Sequence, residues 1–121
     1  MKTRDLTGPA LDWAVAKCEG WECEFSDEVS GPWLIPADGY LNDERPLSGF
    51  TPSTNWAQGG PIIEREKMYL NFGVLGGQWE AVVPSRTFTL VSYGETALVA
   101  AMRAFVLSRL GPEVEIPKEL K

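Results

Sequence analysis

Ser53, Thr54, Asn55 and Trp56 bring two hydroxyls, a carboxamide and an indole within one helical turn, and Gln58 follows two residues on. Read as a helix start, this run adds a set of N–H groups that no upstream carbonyl satisfies, and such an end attracts anions. An indole beside it can stack on a base or another planar ring. The chemistry these residues suit is the binding of phosphate or ribose groups with ring stacking. The same residues also make an ordinary capped helix with a tryptophan in the core, which is what most Ser/Thr-rich helix starts are.

Arg103 stands in the middle of an otherwise apolar stretch, so if it is buried it needs an acidic partner in the fold or an anionic ligand. Five tryptophans are many for this length, and Trp13, Trp33, Trp56 and Trp79 fall on different segments. Trp13 and Arg103 are therefore candidate neighbours of the Ser53–Gln58 site. Catalysis has less to work with. The chain has no histidine, and general acid–base or nucleophilic work would fall to carboxylates, Lys, Tyr or Cys. Glu64, Glu66 and Glu80 are the candidates for a carboxylate pair, and ordinarily such residues are solvated. Cys18 and Cys23, the only cysteines, are spaced C-x4-C and lack the further ligands that a tetrahedral zinc site needs. The expectation is a binder without metal or cofactor, not an enzyme.

These side chains must be held by elements that the pattern outlines. Leu6-Thr7-Gly8-Pro9 predicts a helix start, with Thr7 capping, Pro9 in the first turn and Leu6 stapled to Leu11; the helix runs to about Cys18. Residues 21–52 are rich in Gly, Pro, Ser, Asp and Asn, and predict an ordered loop region with one short strand. A helix beginning at Ser53–Asn55 meets Gly59-Gly60-Pro61, where it is expected to kink or restart. Met68 to Val74 alternates with the period of a strand, Gly76-Gly77 turns the chain into Gln78–Val83, and Arg86 to Tyr93 predicts a third strand. Ala97 to Leu110 is apolar almost all round, which predicts a helix that is central or lies at a subunit interface, possible in a homo-oligomer. The tail from Glu113 is charged.

The chain has 121 residues, enough for one domain with a real core, and 44% of them are hydrophobic against 23% charged, so it should fold. A net charge of -6 argues against a partner such as duplex nucleic acid, which needs clustered Lys and Arg. No apolar run approaches the ~18 residues of a membrane span, and nothing resembles a signal peptide. A cytoplasmic protein with reduced thiols and no membrane partner is expected.

Three stretches carry a family resemblance: LTGPALDWAVAKCEG over residues 6–20, TPSTNWAQGGPIIERE over 51–66 and ETALVAAMRAFVLSRLGPEVEIPKEL over 95–120. Together they resemble the NinX-like family of small tailed-phage proteins, and the broader phage group described as an α-β-α sandwich. The STNWAQGGPIIERE block is the most distinctive of them. Residues 21–50 and the strands carry little of the pattern. The resemblance implies a phage origin, action in the cytoplasm of the infected bacterial host, and an α+β fold in which two to three helices pack on a small antiparallel sheet of about three strands. It brings no activity with it.

Phage accessory genes often encode inhibitors of host immunity, some of them sponges for nucleotide-derived signals such as the cyclic ADP-ribose isomers of Thoeris or the cyclic oligonucleotides of CBASS. By that analogy of class, the first reading is a non-enzymatic binder of a small nucleotide-like ligand that uses Ser53, Thr54, Asn55, Trp56 and Gln58, with Arg103 and Trp13 nearby. The alternative is an acidic protein–protein inhibitor of a host enzyme, drawing on the acids between Glu19 and Glu28 and between Glu113 and Glu119. A hydrolase that degrades the signal is the third.

Overall fold

The computed structural model describes residues 1–24, 33–36, 45–84 and 89–120. After a 3-10 turn at Thr3–Asp5, helix α1 spans Gly8–Cys18, with Thr7 in extended geometry ahead of it and Pro9 in its first turn. Thr7 holds the capping position, but its side chain makes no cap hydrogen bond. Leu6 and Leu11, on either side of the helix start, are both fully buried, as the staple predicts. From Ala10 to Ala16 every residue of α1 is buried, including Asp12.

The stretch after α1 contains more strand than its composition suggested. Three short strands, β1 (Trp21–Glu24), β2 (Trp33–Pro36) and β3 (Arg45–Pro46), pair antiparallel in the order β1-β2-β3, where one strand was expected. Trp21 faces Pro36, Cys23 faces Leu34, and Leu34 in turn faces Arg45. Segments of two to four residues are too short to show a period, and pairing alone defines them. Fully buried Leu34 ties this sheet to the core.

Helix α2 spans Trp56–Arg65, and the Asn55 side chain caps it by accepting a 2.9 Å hydrogen bond from the Ala57 N–H. Helix α2 continues through Pro61 and does not restart there. Both Pro61 and Ala57 are exposed, so the Ala57 carbonyl that Pro61 cannot serve is open to water. Gly59 has a different task. A Cβ there would lie 2.6 Å from Leu98 Cδ2 and would collide with the Pro52 carbonyl, so only glycine lets α2 approach this closely.

The second sheet has the order β4-β5-β6, built from β4 (Tyr69–Leu75), β5 (Gln78–Val83) and β6 (Leu90–Gly94). Gly76 and Gly77, at φ 56 and 77, supply the left-handed turn that matches the strand twist between β4 and β5. The third strand was expected from Arg86; it begins at Leu90, and residues 85–88 lie outside the described residues. Ala81, Val83 and Ser92 turn inward and are buried, while Tyr69 and Val91 are exposed.

Helix α3 spans Ala97–Leu110, capped by Thr96, whose hydroxyl accepts from the Val99 N–H at 3.1 Å. It packs against β5 and β6 and also against α1 and α2. That central position accounts for the apolar residues that surround it. Three helices and the three-stranded antiparallel β4-β5-β6 sheet make this an α+β fold. Beyond Gly111 the chain returns to its start: Lys2 pairs with Glu113, Thr3 N–H donates to the Pro112 carbonyl at 2.8 Å, and Val114 N–H donates to the Met1 carbonyl at 2.9 Å. The two segments form a clasp beside the end of α3.

Candidate functional site

Arg103 is carried to the end of the sheet by the rigid middle of α3, which is buried at Met102 and Ala104 on either side of it. Its Nε donates to the Leu6 carbonyl and its Nη1 to the Tyr93 carbonyl, each at 2.8 Å. No carboxylate hydrogen-bonds to it among the described residues, although an acidic partner is the commoner solution for a cation on an apolar helix. Burial pushes its pKa down, and the charges of Asp5 and Glu95 oppose that shift. Nη2 makes no hydrogen bond to a described residue. The guanidinium is thus fixed in orientation by two carbonyls while one nitrogen stays available.

That nitrogen belongs to a residue lining a cleft of ≈ 640 Å³, within the range of small-ligand pockets. Lys2, Arg4 and Asp5 form one wall, Val91, Ser92 and Tyr93 of β6 another, and Arg103 and Leu107 of α3 contribute from the helix, with Glu113 at the clasp. Three cations face two carboxylates here, on a chain whose net charge is -6. Locally the sign is reversed, which favours an anionic ligand.

The other expected site residues lie elsewhere. Trp13 is buried and lines a separate cleft of ≈ 450 Å³ with Lys17, Trp21, Glu22, Cys23 and Pro117. The Lys17 ammonium sits 5.4 Å from the centre of the Trp13 ring, so one face of that indole already has a cation. Ser53 is buried, and its N–H donates to the Asp12 carboxylate at 2.9 Å. Gln58 accepts from the Thr51 N–H and donates to the Gly49 carbonyl at 2.9 Å, stapling the turn that precedes α2. Thr54 is exposed with a long contact to the Thr51 carbonyl, Asn55 caps α2, and Trp56 is 56% exposed. The structure thus spends the Ser53 N–H, Asn55 and Gln58 on internal bonds, buries the Ser53 hydroxyl and leaves Trp56 in solvent, with Trp13 and Arg103 lining two different clefts.

The groups considered for catalysis are similarly placed. Burial pushes the Glu66 pKa up, but hydrogen bonds from Arg109 and Arg65 outweigh it and hold the carboxylate below its ordinary range. Glu64 is exposed. Burial pushes the Cys18 thiol up to about 12 and raises Cys23 as well, so neither is an activated nucleophile. No group of three or more potential metal ligands comes together among the described residues.

Sequence reasoning singled out Arg103 but missed Lys2, Arg4 and Ser92. The chain start and β6 are brought together in space, with Arg103 of α3 bonded to both Leu6 and Tyr93, and nothing in the spacing announces it.

A crystal structure of a phage protein from Bacillus cereus ATCC 14579, solved at 2.0 Å, is similar in fold, with a TM-score of 0.54 at 17% identity over 95% of this chain and 93% of that one. No curated protein matches the sequence. The family described as "Bacteriophage P22, NinX" matches residues 2–109, and the chain belongs to that family of phage proteins.

Proposed function

We propose that this phage protein is a non-enzymatic binder that sequesters a small nucleotide-derived signal of host immunity, of the cyclic ADP-ribose or cyclic oligonucleotide type, in the cytoplasm of the infected cell. The observation that carries the reading is Arg103, a half-buried cation with two carbonyl partners and no bonded carboxylate among the described residues, lining a nucleotide-sized cleft beside Lys2 and Arg4. A guanidinium fixed in this way is preorganised for phosphate, because little side-chain freedom remains to be lost on binding. Phage membership supports the class of function and says nothing of the ligand.

The site is placed at Arg103 and not at the start of α2, since Ser53, Asn55 and Gln58 have their polar groups committed within the fold or buried. Sequestration needs no nucleophile, and the cleft residues offer three cations, a serine and a tyrosine for binding beside the carboxylates of Asp5 and Glu113.

Native mass spectrometry of the protein with cyclic ADP-ribose and with cyclic dinucleotides tests the reading. One of them is expected to add its own mass and to leave unchanged on denaturation, and Arg103→Gln is expected to lose the adduct. A released hydrolysis product would make the protein an enzyme, and no adduct with any of these ligands would remove the nucleotide reading.

A further inference from the structure

Val91, Ser92 and Tyr93 are consecutive residues of β6, and all three line the Arg103 cleft. Side chains alternate between the two faces of a strand, so a cleft reached by three successive residues follows the strand's edge. β6 is the last strand in the order β4-β5-β6. Its far side therefore carries main-chain groups that no described strand pairs.

Which groups these are follows from the ladder. In an antiparallel pair, alternate residues turn both main-chain groups toward the partner strand, and the residues between turn theirs away. Tyr93 turns its carbonyl outward, where Arg103 Nη1 meets it at 2.8 Å. Val91, two residues earlier, then presents its N–H and its C=O on the same edge. No main-chain bond from outside the sheet reaches Val91 among the described residues.

We infer that the cleft holds a nucleotide with its base against the β6 edge, paired to the main-chain N–H and C=O of Val91, while Arg103 takes the phosphate. The inference rests on the anionic-ligand reading above and adds the group that is recognised: a nucleobase edge with a donor beside an acceptor. An unpaired strand edge offers that complementary pair at fixed spacing, and base edges are read through such donor–acceptor patterns. Two residues along a strand cover about 7 Å, a span that one ribose bridges between base and phosphate. Because main chain does the reading, the side chain at position 91 matters little.

The test compares wild type, Val91→Pro and Val91→Ala by titration calorimetry against pyrophosphate and against cyclic dinucleotides of adenine, guanine and uracil. Proline removes the outward N–H and is tolerated where that N–H serves no ladder bond; retained pyrophosphate binding reports an intact cleft. Wild type and Val91→Ala are expected to bind the best cyclic dinucleotide at least about tenfold tighter than pyrophosphate, and Val91→Pro to erase that preference. If the preference survives in Val91→Pro, or if wild type shows none, the base is not read by the edge; the inference falls and the Arg103 site stands. If wild type binds neither class of probe, the inference falls; if it also gives no adduct with cyclic ADP-ribose, the anionic-ligand reading falls with it.

Discussion

The Asp12 carboxylate on α1 accepts a 2.9 Å hydrogen bond from the Ser53 N–H, 41 residues away, with both residues almost wholly out of solvent. Burial raises the Asp12 pKa, and the hydrogen bond from the Ser53 N–H opposes that rise without cancelling it. Ser53 Oγ itself is buried without a hydrogen-bond partner of its own. A carboxylate raised in the folded state stabilises the fold below its unfolded pKa and loses that contribution as pH rises through the folded one. Asp12→Asn keeps an acceptor for the N–H and adds a donor for Ser53 Oγ. It is therefore expected to fold, and to flatten the fall in stability that the wild type shows as pH climbs above the usual aspartate value. Asp12→Ala, which leaves a buried N–H unmet, should cost about 1–3 kcal/mol. Urea melts across pH check both, and a wild-type slope unchanged in Asp12→Asn would show that Asp12 is not its source.

Glu66 gives the opposite sign. Its carboxylate bonds Arg65 at 3.1 Å and Arg109 at 2.8 Å, tying the ends of α2 and α3. A lowered pKa contributes stability above the unfolded value that is lost as pH falls through the folded one. Both arginines are about half exposed, so solvent screens the pairs. Glu66→Gln is expected to cost less than about 1 kcal/mol and to cost less still in high salt. A cost that does not change with salt would point to packing instead.

Gly59→Ala sets two effects against each other. Helix propensity favours alanine by about 1 kcal/mol, but the added methyl meets Leu98 Cδ2 at 2.6 Å and the Pro52 carbonyl. Overpacking of this kind costs about 1–3 kcal/mol, so net destabilisation is expected, partly relieved by Leu98→Ala. A melting temperature equal to or above that of the wild type would show that α2 can shift.

Phe105 is fully buried, and the guanidinium carbons of Arg65 and Arg109 lie 5.6 and 5.3 Å from its ring centre. Phe105→Ala should cost about 3–5 kcal/mol. Phe105→Leu restores most of the volume but no aromatic face, so the difference between the two variants separates packing from cation–ring attraction. Equal losses in both would show that the ring itself carries the effect.

At the cleft, Arg103→Gln is expected to lose at least about tenfold in affinity for the bound cyclic nucleotide. Trp56→Ala, which removes an indole 56% exposed and outside the cleft lining, should change that affinity less than about twofold. Gln58→Ala should lower the melting temperature and leave binding alone. A large loss of affinity in Trp56→Ala would return the site to the start of α2.

What the sequence revealed was the part governed by neighbours along the chain. Pro9 and Asn55 mark helix starts through local geometry, and the alternation around Gly76-Gly77 forms a hairpin by the same logic. Two of β1, β2 and β3 escaped, because strands so short are defined by partners and not by period. Pro61 read as a break because its cost depends on whether the carbonyl one turn back meets water. Arg103 announced a need, yet its partners are carbonyls 97 and 10 residues away. Ser53 and Gln58 looked free for a ligand because their internal partners lie on Asp12, Thr51 and Gly49, which spacing does not pair with them.

The clasp between Thr3 and Pro112 sets the order in which this molecule can be made. During synthesis Lys2 and Thr3 leave the ribosome about a hundred residues ahead of Pro112 and Glu113, the residues they pair with. Until then Lys2 and Arg4 have no fixed place opposite β6, so a nascent chain has no cleft. The cleft therefore forms only once Gly111 to Val114 have emerged, and a chain stopped before Gly111 would carry Arg103 without the clasp that holds the facing wall.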